Sequence, residues 1–201
     1  MGRDGDVDQS KRATLRRFAA LGAASPLVSI ASASESDAPD AIAGYLTATP
    51  GAHFSKLRDD LQLGTGETQH HLRQLESEGV VESRKDGDYR RYFPAGRFSE
   101  FEQRALGYLR RDTPRGMLVT LLLDPDATTG EIAEALGVSR PTVSNHAGRL
   151  EEAGLLSREE GYILESPETL LLLVIRYADS LGEDAAALAE SAPDLVEYQP
   201  E

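Results

Sequence analysis

The stretch from Ser139 to Leu150 reads Ser-Arg-Pro-Thr-Val-Ser-Asn-His-Ala-Gly-Arg-Leu and holds no acid, in a chain that carries 34 of them. Val143, Ala147 and Leu150 recur at helical spacing and would face a core. That leaves Arg140, Thr142, Ser144, Asn145, His146 and Arg149 for the opposite side. Their chemistry is non-covalent reading of polar edges. An arginine fork can bond the guanine edge bidentately, an asparagine amide can pair with adenine, and short hydroxyls suit bases or phosphates. The plain alternative is a solvated helix face, which in so acidic a chain should carry acids as other surfaces do.

A second set lies upstream. Thr68, Leu72 and Leu75 take the inward positions, while Gln69, His70, Arg73 and Gln74 point outward, flanked by Glu67 and Glu76. Next come Arg84, Lys85, Arg90 and Arg91, gathered around Asp86-Gly87-Asp88. A basic hairpin of this kind can grip phosphates or enter a minor groove. The competing reading is a salt-bridged hairpin, with Arg90 paired to Asp88 or Glu82. A downstream counterpart, Arg158-Glu159-Glu160, offers much less positive charge. The expected division of labour gives base reading to the second helix and phosphate grip to the first hairpin.

Other chemistry finds little support. The chain has no cysteine, so disulfides, thiolate catalysis and cysteine-based zinc sites are excluded. The four histidines (His53, His70, His71, His146) show no metal-site spacing, although His70 and His71 are adjacent. There is no nucleophile elbow, no phosphate loop and no His/Glu zinc motif, so neither an enzyme nor a metal or cofactor is expected. Taken alone, the net charge of −13 opposes nucleic acid. Yet lysine occurs three times against eighteen arginines, an acid-rich, lysine-poor balance that resembles the proteins of extreme halophiles. In concentrated salt the Debye length shrinks to about 3 Å, and only local contacts count.

The elements that must position these residues come in duplicate. Shifting the sequence by 75 positions sets Pro50 on Pro125, Leu57 on Ile132, Leu61 on Leu136, Leu72 on Ala147, Leu75 on Leu150 and Gly79 on Gly154 without a gap. Apolar and turn positions coincide while exposed ones differ, as two copies of one fold should. Each copy reads as helix, short helix, glycine-containing turn, longer helix and hairpin, the helix-turn-helix pattern with a wing. In the first, Asp37 can cap a helix holding Pro39, and Thr65 is expected to cap the reading helix. In the second, Thr128 and Glu131 form a capping box and Ser139 caps the reading helix. Asp86-Gly87 is a hairpin turn signal. A helix led by Ser99 and Glu102 connects the copies, and a last helix from Glu168 to about Ala189 carries the apolar run Leu170–Ile175, suited to a core or a dimer seam.

The fold class expected is therefore mainly α with small β-hairpin wings: two tandem winged helix-turn-helix domains with connecting and C-terminal helices. The boundaries are an N-terminal arm at 1–36, a first winged domain at 37–97, a connecting helix at 98–111, a second winged domain at 112–165, and a C-terminal helix with acidic tail at 166–201. In the arm, Arg16-Arg17 precedes an apolar, small-residue run that resembles a twin-arginine export signal or a short membrane tether, with a disordered arm as the alternative.

The segments Thr49-Pro50-Gly51-Ala52-His53-Phe54, Gln69-His70-His71-Leu72-Arg73-Gln74-Leu75-Glu76 and Arg90-Arg91-Tyr92-Phe93-Pro94 resemble those of archaeal, haloarchaeal-type winged helix-turn-helix transcriptional regulators. The run Ser139-Arg140-Pro141-Thr142-Val143-Ser144-Asn145-His146 is similar to the broad ArsR- and MarR-like group. The resemblance covers roughly residues 38–165 and departs at Glu67, an acid near the start of the first reading helix. It implies a cytoplasmic, sequence-specific regulator whose partner is double-stranded DNA; the apolar last helix adds the expectation of a homodimer, and the histidine spacing that of no metal. A small-molecule effector is left open. Winged helices that dock proteins, and a membrane-tethered regulator, are the rival readings.

Overall fold

The computed structural model describes residues 38–195. The arm at 1–36, the expected cap Asp37 and the acidic tail after 195 lie outside the described residues. The chain divides into two units, Met1–Ser99 and Glu100–Glu201.

The first unit runs α1 (Ala38–Ala48), β1 (Ala52–His53), α2 (Phe54–Asp60), α3 (Thr65–Ser77), β2 (Val81–Asp86) and β3 (Tyr89–Pro94). Ile42, Tyr45, Leu46, Leu57, Leu61, Leu72 and Leu75 close its core. The wing is an antiparallel sheet in the order β1-β3-β2, with Asp86 opposite Tyr89 across a turn where Gly87 takes φ +60°. Strand β1 goes beyond the two-stranded wing that the sequence suggests. Gly51, at φ +79°, bends the chain after α1 so that its N–H donates to the Tyr92 carbonyl at 2.9 Å, and Ala52 and His53 then pair with Tyr92 and Arg91.

The second unit runs α4 (Glu100–Leu109), α5 (Asp112–Leu123), α6 (Thr129–Ala135), α7 (Arg140–Glu152), β4 (Leu156–Ser157), β5 (Ile163–Leu164), α8 (Pro167–Leu181) and α9 (Glu183–Leu195). Leu106, Leu109, Met117, Leu118, Leu121, Ile132, Val143, Ala147 and Leu150 are buried, with Leu170, Val174 and Leu188 contributed by the last two helices. α4 packs against α5 and α8. Each unit is thus a winged helix-turn-helix fold, mostly helical with a small antiparallel wing.

The internal repeat extends to individual hydrogen bonds. Leu63 N–H donates to the Arg58 carbonyl at 2.9 Å and Val138 N–H to the Ala133 carbonyl at 3.0 Å, the same residue pair 75 positions apart. Val80 N–H to Leu75 and Leu155 N–H to Leu150, both 2.9 Å, repeat the match where α3 and α7 turn into their wings. The helix-turn-helix turn requires a left-handed residue. Gly137 supplies it at φ +63°, but the first unit places Gln62 there at φ +56°.

The last helix differs from the single rod expected. It breaks at Gly182, whose φ of +145° is open to glycine and strained for other residues. A β-carbon there would also come within 2.8 Å of the Arg115 guanidinium. The apolar run divides as well: Leu170, Leu173 and Val174 are buried, whereas Leu172 is 67% exposed.

Candidate nucleic-acid interface

In α7 the fold separates the two faces that a reading helix needs. Val143, Ala147 and Leu150 are buried, while Arg140, Ser144, Asn145 and Arg149 are exposed. Ser139 caps the helix: its Oγ accepts from Thr142 N at 3.3 Å and shares a 2.8 Å hydrogen bond with the Thr142 hydroxyl. Thr142 is half-buried and its hydroxyl is engaged in that cap. The Arg140 guanidinium rests beside Gly130 at the start of α6, where a β-carbon would come within 3.1 Å of it. Tyr108 O–H donates to the Arg149 carbonyl at 3.0 Å, pinning α7 to α4 through the backbone. His146 is half-buried, and burial, then the Arg149 and Arg111 charges, lower its pKa.

α3 repeats the pattern. Thr68, Leu72 and Leu75 are buried; Gln69, His70, Arg73 and Gln74 are exposed. Its N-cap is Gly64, not Thr65, which is the first helical residue. Glu67, the residue at odds with the family resemblance, acts locally, because its carboxylate accepts from Gly64 N at 3.2 Å at the positive end of the helix. Gln74 donates to Glu78 at 2.9 Å, which holds its amide along the helix. The His70 and His71 rings meet edge to face at 5.2 Å. Between α3 and the wing lies a cleft of about 310 Å³, bordered by Thr65, Gln69, Arg73 and Glu76 on one side and Arg90 and Tyr92 on the other. Burial, then the Glu76 charge, raises the Tyr92 pKa.

The wing sorts its four cations by strand alternation. Lys85 lies opposite Arg90, and Arg84 opposite Arg91, so each pair shares a face. Lys85 and Arg90 are exposed and Arg84 is half-buried. Arg91 was expected to contact DNA, and the structure corrects that expectation. It is 3% exposed, bonded to the Asp86 carboxylate and to the Gly51 carbonyl at 2.9 Å, with its guanidinium 5.8 Å from the Tyr89 ring centre. The cause is β1, which lays His53 alongside Arg91. Arg90 turns to Ser83 and Glu76 rather than to Asp88 or Glu82. Its Nε donates to Ser83 Oγ at 2.8 Å and its Nη2 lies 3.8 Å from Glu76. In the second wing Arg158 folds back on Glu151, with its Nε at 2.7 Å.

Sequence reasoning missed Tyr89, which stands 51% exposed at the wing tip and meets the His53 ring at 5.0 Å. Its signal was an aromatic beside the Asp86-Gly87 turn. His53 itself caps α2, its Nδ1 accepting from Lys56 N at 3.2 Å, and burial, then the Arg91 and Lys56 charges, lower its pKa. Among the described residues no cluster of three or more His, Asp or Glu could hold a metal ion, and no helix is long and apolar enough to cross a membrane.

Comparison with known proteins finds a family model over a large part of each unit. Residues 36–106 match the model of a family described as an N-terminal HTH domain, and residues 113–161 match the MarR family. The chain is similar to an uncharacterized HTH-type transcriptional regulator of Methanocaldococcus jannaschii, 32% identical over 131 residues, which is 62% of this chain and 33% of that relative. It therefore spans about a third of the length of the curated relative it matches. No solved structure matches the chain.

Proposed function

We propose that the chain is a sequence-specific DNA-binding transcription regulator. The observation that carries this reading is α7: an acid-free strip with Arg140, Ser144, Asn145 and Arg149 exposed, opposite a stripe of Val143, Ala147 and Leu150 sunk in the core. Such a helix fits the major groove, where an arginine fork and an asparagine amide discriminate bases. The similarity to helix-turn-helix and MarR-family models, and to a relative named as a transcriptional regulator, supports it.

In this reading α7 reads base edges together with its half-buried Thr142 and His146. Gln69, His70, Arg73 and Gln74 of α3, with Arg84, Lys85 and Arg90 of the first wing, add phosphate and groove contacts. Arg91 is no longer in the contact set. The protein acts in the cytoplasm as a homodimer joined through α8, where Leu172 presents an exposed apolar side chain. A C2 pair places reading helices on the two halves of a pseudo-palindromic site.

The test is selection from a random duplex pool followed by footprinting of the winner. An enriched motif protected in two related halves is the expected result. Retention of no duplex even at low salt, or of all duplexes alike, would overturn the reading.

A further inference from the structure

Glu76 and Glu151 stand at the same position of the internal repeat, 75 residues apart on the two reading helices. So do Ser83 and Arg158, the wing residues that face them. Both acids reach the wing across the same interval of seven residues. In the first unit Ser83 Oγ donates to Glu76, and Arg90 Nε donates to Ser83 Oγ at 2.8 Å, with Arg90 Nη2 3.8 Å from the carboxylate. In the second, Glu151 accepts directly from Arg158, through Nε at 2.7 Å, with Nη2 at 2.5 Å and the backbone N–H at 3.1 Å. The exposed positions of the two copies have largely diverged; the acid and its reach to the wing are shared, while the residue that meets it is a serine in one copy and an arginine in the other.

We infer that Glu76 and Glu151 are duplicated helix-to-wing latches, positioning residues that hold a wing arginine away from the phosphate backbone and so limit sequence-independent binding. The inference rests on the DNA-binding reading above. A carboxylate at the mouth of the cleft repels a phosphate and competes for the cation that would neutralise it. The two latches are set differently. Arg158 is closed on Glu151 by three contacts, so the second wing offers no net cation from this pair. Arg90 is held loosely, its side chain is 64% exposed, and it borders the cleft with Arg73. A phosphate oxygen entering that cleft can take Arg90 from Glu76 at little cost, since exposed ion pairs are weak and screened by salt.

The experiment titrates a fluorescein-labelled duplex of scrambled sequence, and the selected duplex, against the full chain at several potassium chloride concentrations. Glu76→Gln is expected to tighten scrambled-duplex binding about two- to fivefold. It should also steepen the log–log salt dependence by about 0.9, one more phosphate neutralised. The selected duplex should gain less, so discrimination falls. Arg90→Ala must then cost more affinity in the Glu76→Gln background than beside Glu76. Glu151→Gln should act in the same direction, freeing Arg158. Ser83→Ala, which removes the bridging hydroxyl and keeps both charges, should give a smaller shift of the same sign. Thermal unfolding of each variant separates these effects from loss of fold, and Ser83→Ala carries the test if Glu76→Gln does not fold. Unchanged affinity and salt slope in a protein that binds duplex, or additive effects of Glu76→Gln and Arg90→Ala, overturn the latch. If the unmodified chain binds no duplex, the proposed function has failed and the inference falls with it; the unmodified chain tells the two failures apart.

Discussion

Arg140 and Arg91 show how much an arginine's role depends on what lies beside it. Arg140 stands exposed at the start of α7, in the first turn where a recognition helix meets base edges. Arg91 stands among the wing cations in sequence, yet it is a buried brace between Asp86 and the Gly51 carbonyl. Their replacements should therefore differ in kind. Arg140→Ala or Arg149→Ala should weaken binding to the selected duplex by about 1–3 kcal/mol and relax the preference at one base position, leaving thermal stability alone. Arg91→Ala should instead destabilise the first unit by about 3 kcal/mol, because it removes a buried side chain that bonds both the Asp86 carboxylate and the Gly51 carbonyl. Denaturant unfolding of both variants, beside duplex titrations, checks the contrast. Loss of affinity without loss of stability in Arg91→Ala would return that residue to the DNA.

At the scale of elements, helix ends carry the local information. His53 caps α2 only while its Nδ1 is an acceptor, that is, while the ring is neutral. Its folded pKa is lowered from 6.5, as is that of His146 in α7, both first by burial. Above pH 6.5 both rings are neutral in the folded and the unfolded chain, and the stability tied to them is fully present. As pH falls below 6.5 the unfolded chain takes up protons first, so stability declines until the depressed folded pKa values are passed. Melting temperatures measured across that window should drop, and His53→Asn, which keeps a capping side chain without the titration, should flatten the drop. At the break between α8 and α9, Gly182→Ala should cost about 1–3 kcal/mol, since its backbone region is nearly closed to other residues. The added β-carbon also meets Arg115, whose Nε–Asp184 contact at 2.6 Å ties α5 to α9. An unchanged melting temperature would show that the break relaxes without strain.

At the scale of the whole molecule, the chain carries 13 net negative charges yet keeps α7 free of acids from its cap to Leu150. A global repulsion screened by salt is compatible with a local, complementary strip. The proposed dimer rests on α8. Leu172 is 67% exposed between buried Leu170 and Leu173, an arrangement suited to a seam with a second copy. Leu172→Glu should shift the mass measured by light scattering from dimer to monomer and weaken binding to a two-half site more than to a single half. A wild-type chain that is monomeric at all concentrations would remove the dimer from the proposed function.

The order of helices, the helix-turn-helix turns and the inward stripes of α3 and α7 were legible in the residues, because apolar periodicity, capping side chains and glycines act over a few positions. The helix-turn-helix plan of each unit was legible too, since apolar and turn positions follow the packing. The fate of single cations was not. Strand β1 is two residues long and exists only because α1 delivers it beside β3, so no local pattern announces that Arg91 will be covered. The break at Gly182 arises in the same way, beside the Arg115 guanidinium brought there by α5. The grip of Glu76 and Glu151 on their wings spans seven residues of chain, yet it forms only once each wing folds back along its helix, where packing overrides the preference of the residue alone.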